Sequence, residues 1–224
     1  MFDPDRLPPQ LREGPFTVAQ ARALKLTDGQ LRHGRILRLS RGIRSLDDDG
    51  DASLALLARP YSLVTGYSAV SHETAFRIWG FPGFLPPSVK PGIHIARQSP
   101  HTTLRRVGVV GHKTAFFDGE VVFTDGFWIT TRVRTWLDCA RRMAIDELTV
   151  VADHLLRRPR PQFEGRSEPY AVRADLEQIL DRHKGRRGSA KPGSPWTRPG
   201  PVPTLRRRRG SGWRWSGQAS RNRT

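Results

Sequence analysis

Residues 15–46 read PFTVAQARALKLTDGQLRHGRILRLSRGIRSL, and the order of their capping, apolar and turn residues decides the fold. Thr17 and Gln20 form a T-x-x-Q capping box, in which each side chain satisfies the other's free backbone N–H at a helix start. Ala21, Leu24 and Leu26 supply apolar positions behind it. A second box, Thr27 with Gln30, opens a helix of about two turns that Gly34 can terminate. Ile36, Leu37 and Leu39, a Ser40-Arg41-Gly42 turn, and Ile43 to Leu46 then predict a short β-hairpin. Two small helices joined by a tight turn and followed by a hairpin make a wedge of the size of a major groove, the layout of a winged helix-turn-helix. Arg32, Arg35, Arg38, Arg41 and Arg44 stud its second helix and hairpin, against one acid, Asp28. Arginine on an amphipathic surface is often only solvated, but here caps, glycine and hairpin occur in the right order. The stretch therefore predicts a DNA-docking surface. Gln30, Arg32 and His33 would face base edges, and Arg35, Arg38, Arg41 and Arg44 would face phosphates or the minor groove.

Charge supports this only in part. The 224 residues carry a net charge of +17, but residues 184–224 hold 12 basic residues and no acids, so most of the excess lies in the tail. The preceding residues hold 26 Lys and Arg against 21 Asp and Glu, a balance that does not by itself imply a polyanionic partner. The single cysteine, Cys139, excludes an internal disulfide and sits among Trp136, Leu137 and Ala140, as buried filler does. The opening MFDPDRLPPQ lacks a basic-then-apolar signal pattern, and no apolar run approaches membrane-spanning length. A soluble cytoplasmic protein is expected.

Beyond the hairpin, the acidic run Asp47, Asp48, Asp49 and Asp51 reads as a linker or helix start. A short leading helix is expected within residues 3–13. Leu54, Leu56 and Leu57 form a helical group that Pro60 and Gly66 break, and Ser71 to Trp79 form another helix capped by Ser71. After a proline-rich loop at 81–92, strands are expected at Ile93–Ile95, Arg105–Val110, Glu120–Phe123 and Phe127–Ile129, with turns at Asp118-Gly119 and Asp125-Gly126. Helices are expected over Thr131–Met143, Asp146–Leu156 and Val172–His183, with a loop at 157–170. The whole reads as α+β. Residues 1–47 form the winged helix-turn-helix, 48–188 a small mixed α/β domain, and 189–224 a disordered basic tail.

Several stretches together resemble AbiEi-like type IV antitoxins, winged-helix proteins that often carry a C-terminal domain similar to very-short-patch-repair endonucleases. They are QARALKLTDGQLRHGRILRLSRGIRSL at 20–46, SHETAFRIWG at 71–80, GFWITTRVRTWLDCARR at 126–142, VADHLLRRP at 151–159 and the DRHKGRRG segment ending at Gly188. The resemblance implies DNA binding through the winged helix, at an operator, and neutralisation of a nucleotidyltransferase-type toxin. Longer proteins of this layout need no toxin partner.

The tail has a second reading. Shifting the frame by one base turns Trp196–Thr224 into LDxARAGADSPPETRLRLALVRAGLPEPD, an amphipathic string like the start of the nuclease-like domain. Because tryptophan has one codon, Thr197 must re-read as Asp, Arg214 as Ala or Glu, and Ser216 as Val or Glu, and all three fit. This predicts a frame-shifted product without its nuclease domain. As written, LRRRRG at 205–210 with Trp213 and Trp215 combines phosphate attraction with stacking surfaces.

No catalytic constellation emerges. A nuclease of that type needs an acid and then Asp/Glu-x-Lys to hold a divalent metal, and neither Asp-x-Lys nor Glu-x-Lys occurs. Glu120 and Asp125 read as turn residues at strand ends. The seven histidines do not cluster at ligand spacing. Ser71-His72-Glu73 are adjacent and cannot converge on one atom. Thr130 and Thr131 read as helix-start residues, and Arg134–Asp138 as a weak i,i+4 pair. No enzyme, cofactor or metal is expected. Three functions follow: a DNA-binding antitoxin or regulator, with double-stranded DNA as partner; a protein-interaction module that neutralises a toxin; or the remnant of an endonuclease lacking its catalytic domain. The oligomeric state is not encoded legibly.

Overall fold

The computed structural model describes residues 3, 7–46 and 52–184. The acidic run at 47–51 and the tail with its frame-shift reading lie outside these residues. The chain is mixed α+β, with two sheets and several helices.

The N-terminal sheet has the order β1-β3-β2, from β1 (Phe16–Thr17), β2 (Ile36–Ser40) and β3 (Ile43–Leu46), all antiparallel. The hairpin is as expected, turning at Gly42 with φ of 78°. The strand β1, only two residues long, carries too little pattern to be read in advance. Helix α1 (Pro9–Arg12) precedes it and α2 (Val18–Ala23) follows. The expected box at Thr17 forms in full, with Gln20 N donating to Thr17 Oγ1 at 3.1 Å and Thr17 N to Gln20 Oε1 at 2.8 Å. The α2 helix ends at Lys25, which takes a left-handed φ of 67°, while Leu26 N reaches back to the Ala21 carbonyl. This is the Schellman closure, and it swings Leu26 into the core. Leu7, Leu11, Phe16, Ala21, Leu26, Leu31 and Ile36 make that core.

The larger sheet has the order β6-β5-β4-β8-β7. Its strands are β4 (Ser68–Val70), β5 (Ile93–Gln98), β6 (Val109–Thr114), β7 (Val121–Thr124) and β8 (Phe127–Thr130). The β5–β6 and β4–β8 pairs are parallel and the other two antiparallel. Three expectations need correction. The three-residue β4 was not anticipated, yet it is the central strand. The strand expected at Arg105–Val110 starts instead at Val109, since the preceding residues form a connection held over β6. The helix α3 (Leu54–Leu63) runs through Pro60 rather than breaking there. An interior proline costs about 3 kcal/mol, and burial of Ala58, Pro60, Tyr61 and Ser62 offsets it.

Helices α4 (His72–Ile78), α5 (Arg132–Cys139), α6 (Ile145–Leu156), α7 (Pro161–Glu164) and α8 (Arg173–His183) complete the fold. Here α5 is shorter than expected, and α7 interrupts the expected loop. The Asp125-Gly126 turn joins β7 to β8 with φ of 50° and 82°, the mirror-image turn that suits strand twist. On one face of the large sheet, Ile43 of the hairpin is buried with Ala58, Tyr61, Val70, Ile95, Phe127 and Ile129. The two sheets thus share a core through α3. Among the described residues no helix is long and apolar enough to cross a membrane.

Candidate nucleic-acid interface

The expected docking residues lie on the segment from the second capping box to the end of β3. The second helix is shorter than expected, a single 3-10 turn over Gln30–Arg32. Thr27 and Gln30 form their box, with Thr27 N donating to Gln30 Oε1 at 2.7 Å. Gly29 precedes the turn, and His33 leaves helical space with ψ of 142°. Two glycines within six residues, at 29 and 34, remove the propensity needed to propagate a second turn. Leu31 alone points into the core.

Geometry sorts the seven candidates. The Gln30 side-chain oxygen serves the cap. His33 is half-buried and its Nδ1 accepts from Arg35 N at 3.3 Å. Arg32, Arg38 and Arg41 are exposed. Their guanidiniums form no hydrogen bond or ion pair with a described residue. Arg35 is exposed too. Arg44 is half-buried and donates to the Ile43 carbonyl at 3.1 Å. Burial and then the neighbouring Arg38 hold its pKa below the usual guanidinium range. On this surface the acid Asp28 is taken by Arg22 at 2.9 Å, so it neutralises none of the seven. Arg38 and Arg41 also border a groove shared with the connection between β5 and β6. Its arginines, at 97, 105 and 106, are remote in sequence and gave no advance signal.

A second polar constellation lies on the other face of the large sheet. Three histidines meet there despite their spacing in the sequence. His72 stacks on His112 with centroids 3.6 Å apart, and His94 Nδ1 lies 3.0 Å from His112 Nε2. Parallel β5 and β6 bring the last two together, because Ala96, two residues after His94, pairs with His112. Burial, and then the neighbouring rings and arginines, push His72 and His112 down to about 3, so both are neutral at pH 7. Stacked rings do not converge their lone pairs on one point, and no described group of three or more His, Cys, Asp or Glu is disposed to hold a metal. The cluster continues through Ser88 Oγ, 2.9 Å from His94 Nε2, to Arg142 and Glu73. Ser71 occupies the expected N-cap position but makes no cap bond; its hydroxyl meets His72 Nδ1 at 3.0 Å.

Beside it, Arg134 was expected to make a weak i,i+4 pair with Asp138. The pair exists at 2.8 Å, but both side chains are buried. Arg134 also binds Glu120, Thr114 Oγ1 and the Ala115 carbonyl. Glu120 does sit at a strand end, its N–H closing the turn to the Phe117 carbonyl at 3.1 Å, but its side chain is not a solvated turn carboxylate. It is 2% exposed and also meets His183 Nε2 at 2.9 Å. Thr131 caps α5, accepting from Arg134 N. Cys139 is buried in the helical core, and burial pushes its thiol pKa up. These groups tie α5 and α8 to the sheet, with Asp138 Oδ2 left as a buried oxygen that has no hydrogen-bond partner. No protein-family model and no curated protein sequence matches the chain.

Proposed function

We propose that this protein is a DNA-binding protein whose N-terminal module acts as a winged helix-turn-helix. Thr27–Arg32 enters the major groove and the β2–β3 hairpin serves as the wing. The observation that carries the reading is the exposure of Arg32, Arg38 and Arg41 on one capped turn and its adjoining hairpin, without a counter-ion among the described residues. Arg32 and the Gln30 amide face base edges, while Arg35, Arg38, Arg41 and Arg44 follow the phosphates. The short recognition turn limits the bases within reach, so backbone contacts supply most of the affinity. Through the resemblance set out above, the role is that of an antitoxin or transcriptional regulator in the cytoplasm. No catalytic role is assigned, since neither Asp-x-Lys nor Glu-x-Lys occurs in the sequence.

The test is selection of a preferred duplex from a random pool by the full chain, followed by comparison of variants on it. Arg32→Gln relaxes the preference at one position, a loss of about 1–3 kcal/mol of discrimination. Arg41→Gln weakens binding to all sequences and flattens the salt slope by about one unit. Parent-like binding by both variants refutes the assignment.

A further inference from the structure

The groove between the hairpin and the large sheet has a volume of about 610 Å³. Five arginines line it: Arg38 and Arg41 from the hairpin, Arg97 from β5, and Arg105 and Arg106 from the β5–β6 connection. Among the described residues no acid does, while Ser40, Thr102 and Thr103 bring hydroxyls to its wall.

Two of the arginines are fixed by the protein. Arg106 donates to Ser40 Oγ at 3.2 Å and to the Arg41 carbonyl at 2.5 Å, which fastens the connection to the hairpin turn. Arg97 donates to the carbonyls of Gly66 and Thr102, each at 3.3 Å. The other three guanidiniums, of Arg38, Arg41 and Arg105, pair with no described residue. Burial holds Arg106 below the usual guanidinium range; Tyr61 opposes that shift and the neighbouring Arg41 adds to it. Gly111 on β6 lets the connection lie close, since a methyl group there would overlap the Leu104 carbonyl. The wall is therefore held in place rather than draped.

We infer that this groove binds the sugar-phosphate backbone of duplex DNA, so that the large-sheet domain extends the contact made by the hairpin. The inference rests on the function proposed above, because Arg38 and Arg41 belong to both surfaces. A single anion needs two or three donors, whereas five guanidiniums from three chain segments suit successive phosphates on one strand. Arginine forks grip phosphate oxygens bidentately, and threonine and serine hydroxyls are common partners of the backbone. Such contacts carry no base preference. They lengthen the footprint and steepen the dependence on salt.

The experiment is fluorescence anisotropy of a labelled duplex with the full chain across a salt series. The proteins are the parent, Arg105→Gln, Arg105→Glu, Arg32→Gln and a control, Arg77→Gln, an exposed arginine on α4 outside the groove. Arg105 is exposed, and circular dichroism verifies that each variant keeps the parent's fold. Arg105→Gln lowers the salt slope by about one unit, the share of one phosphate. Arg105→Glu weakens binding at least about tenfold for every duplex, and Arg77→Gln binds as the parent does. If both Arg105 variants match the parent while Arg32→Gln weakens binding, the groove is not a DNA track and the hairpin assignment survives. If Arg32→Gln and the Arg105 variants all match the parent, both assignments fail. Sodium phosphate at matched ionic strength separates a free-anion site from a backbone track. Displacement of the duplex from the parent but not from Arg105→Gln, beyond the effect of chloride, makes this a site for free phosphate and overturns the inference.

Discussion

Replacing Arg134 with methionine removes the cation from the most enclosed polar network in the protein. Methionine keeps the aliphatic stem and most of the volume, so packing of α5 is retained and the change isolates charge. Glu120 and Asp138, with side chains 3% and 6% exposed, are then left without their guanidinium. Asp138 has one oxygen with no hydrogen-bond partner already. Breaking a buried pair from one side typically costs about 3–5 kcal/mol, and His183 compensates only at Glu120. Set against a typical stability of about 5–15 kcal/mol, the loss is large. At about 2–4 °C per kcal/mol for a chain of this length, the midpoint falls by roughly 10 °C. Urea and thermal unfolding followed by circular dichroism measure it. Replacing Glu120 as well, in Arg134→Met/Glu120→Gln, recovers part of the loss, because one of the two carboxylates left behind is then neutral. A double-mutant cycle then gives a coupling energy of at least about 1 kcal/mol. If Arg134→Met lies within about 1 kcal/mol of the parent, the network is dispensable and its role in anchoring α5 and α8 is wrong.

Two other perturbations have defined outcomes. Gly111→Ala forces the Leu104 backbone off β6, with an overpacking cost of about 1–3 kcal/mol; an unfolding midpoint equal to the parent's contradicts the close approach. The histidine stack sets a pH dependence. His72 and His112 have folded pKa values near 3 against 6.5 when unfolded, so the unfolded state binds more protons between these limits and stability falls as pH drops through that window. Glu73 and Glu120 have lowered pKa values and act mainly below 4.5. His72→Phe therefore flattens the slope of stability between pH 6.5 and 4.5; an unchanged slope there means the rings are not buried neutral.

Much of the N-terminal module was legible because its signals are local. The two capping boxes, the glycine turn and the alternating apolar residues of the hairpin each act within five residues, and each formed. What local reasoning overstated was the second helix, since a good cap cannot propagate a turn bracketed by Gly29 and Gly34. In the larger domain, the Asp-Gly turns and long apolar helices were readable for the same reason. The strand Ser68–Val70 was not, as three small residues acquire their conformation from β5 and β8 on either side. The buried role of Glu120 and the meeting of three histidines depend on pairings between segments tens of residues apart. So does the contribution of Arg97, Arg105 and Arg106 to the groove. Pro60 shows the reverse case, a strong local breaker overridden by burial.

Removing the hairpin-module charges while leaving the rest of the chain intact tests the DNA assignment most directly, because the basic residues beyond 184 remain as an internal background. We expect the full chain carrying Arg32→Gln, Arg38→Gln and Arg41→Gln to lose preference for its selected duplex. Its salt slope should fall by about two units, one each for the phosphate contacts of Arg38 and Arg41. A triple variant that keeps both the preference and the slope of the parent would contradict the account.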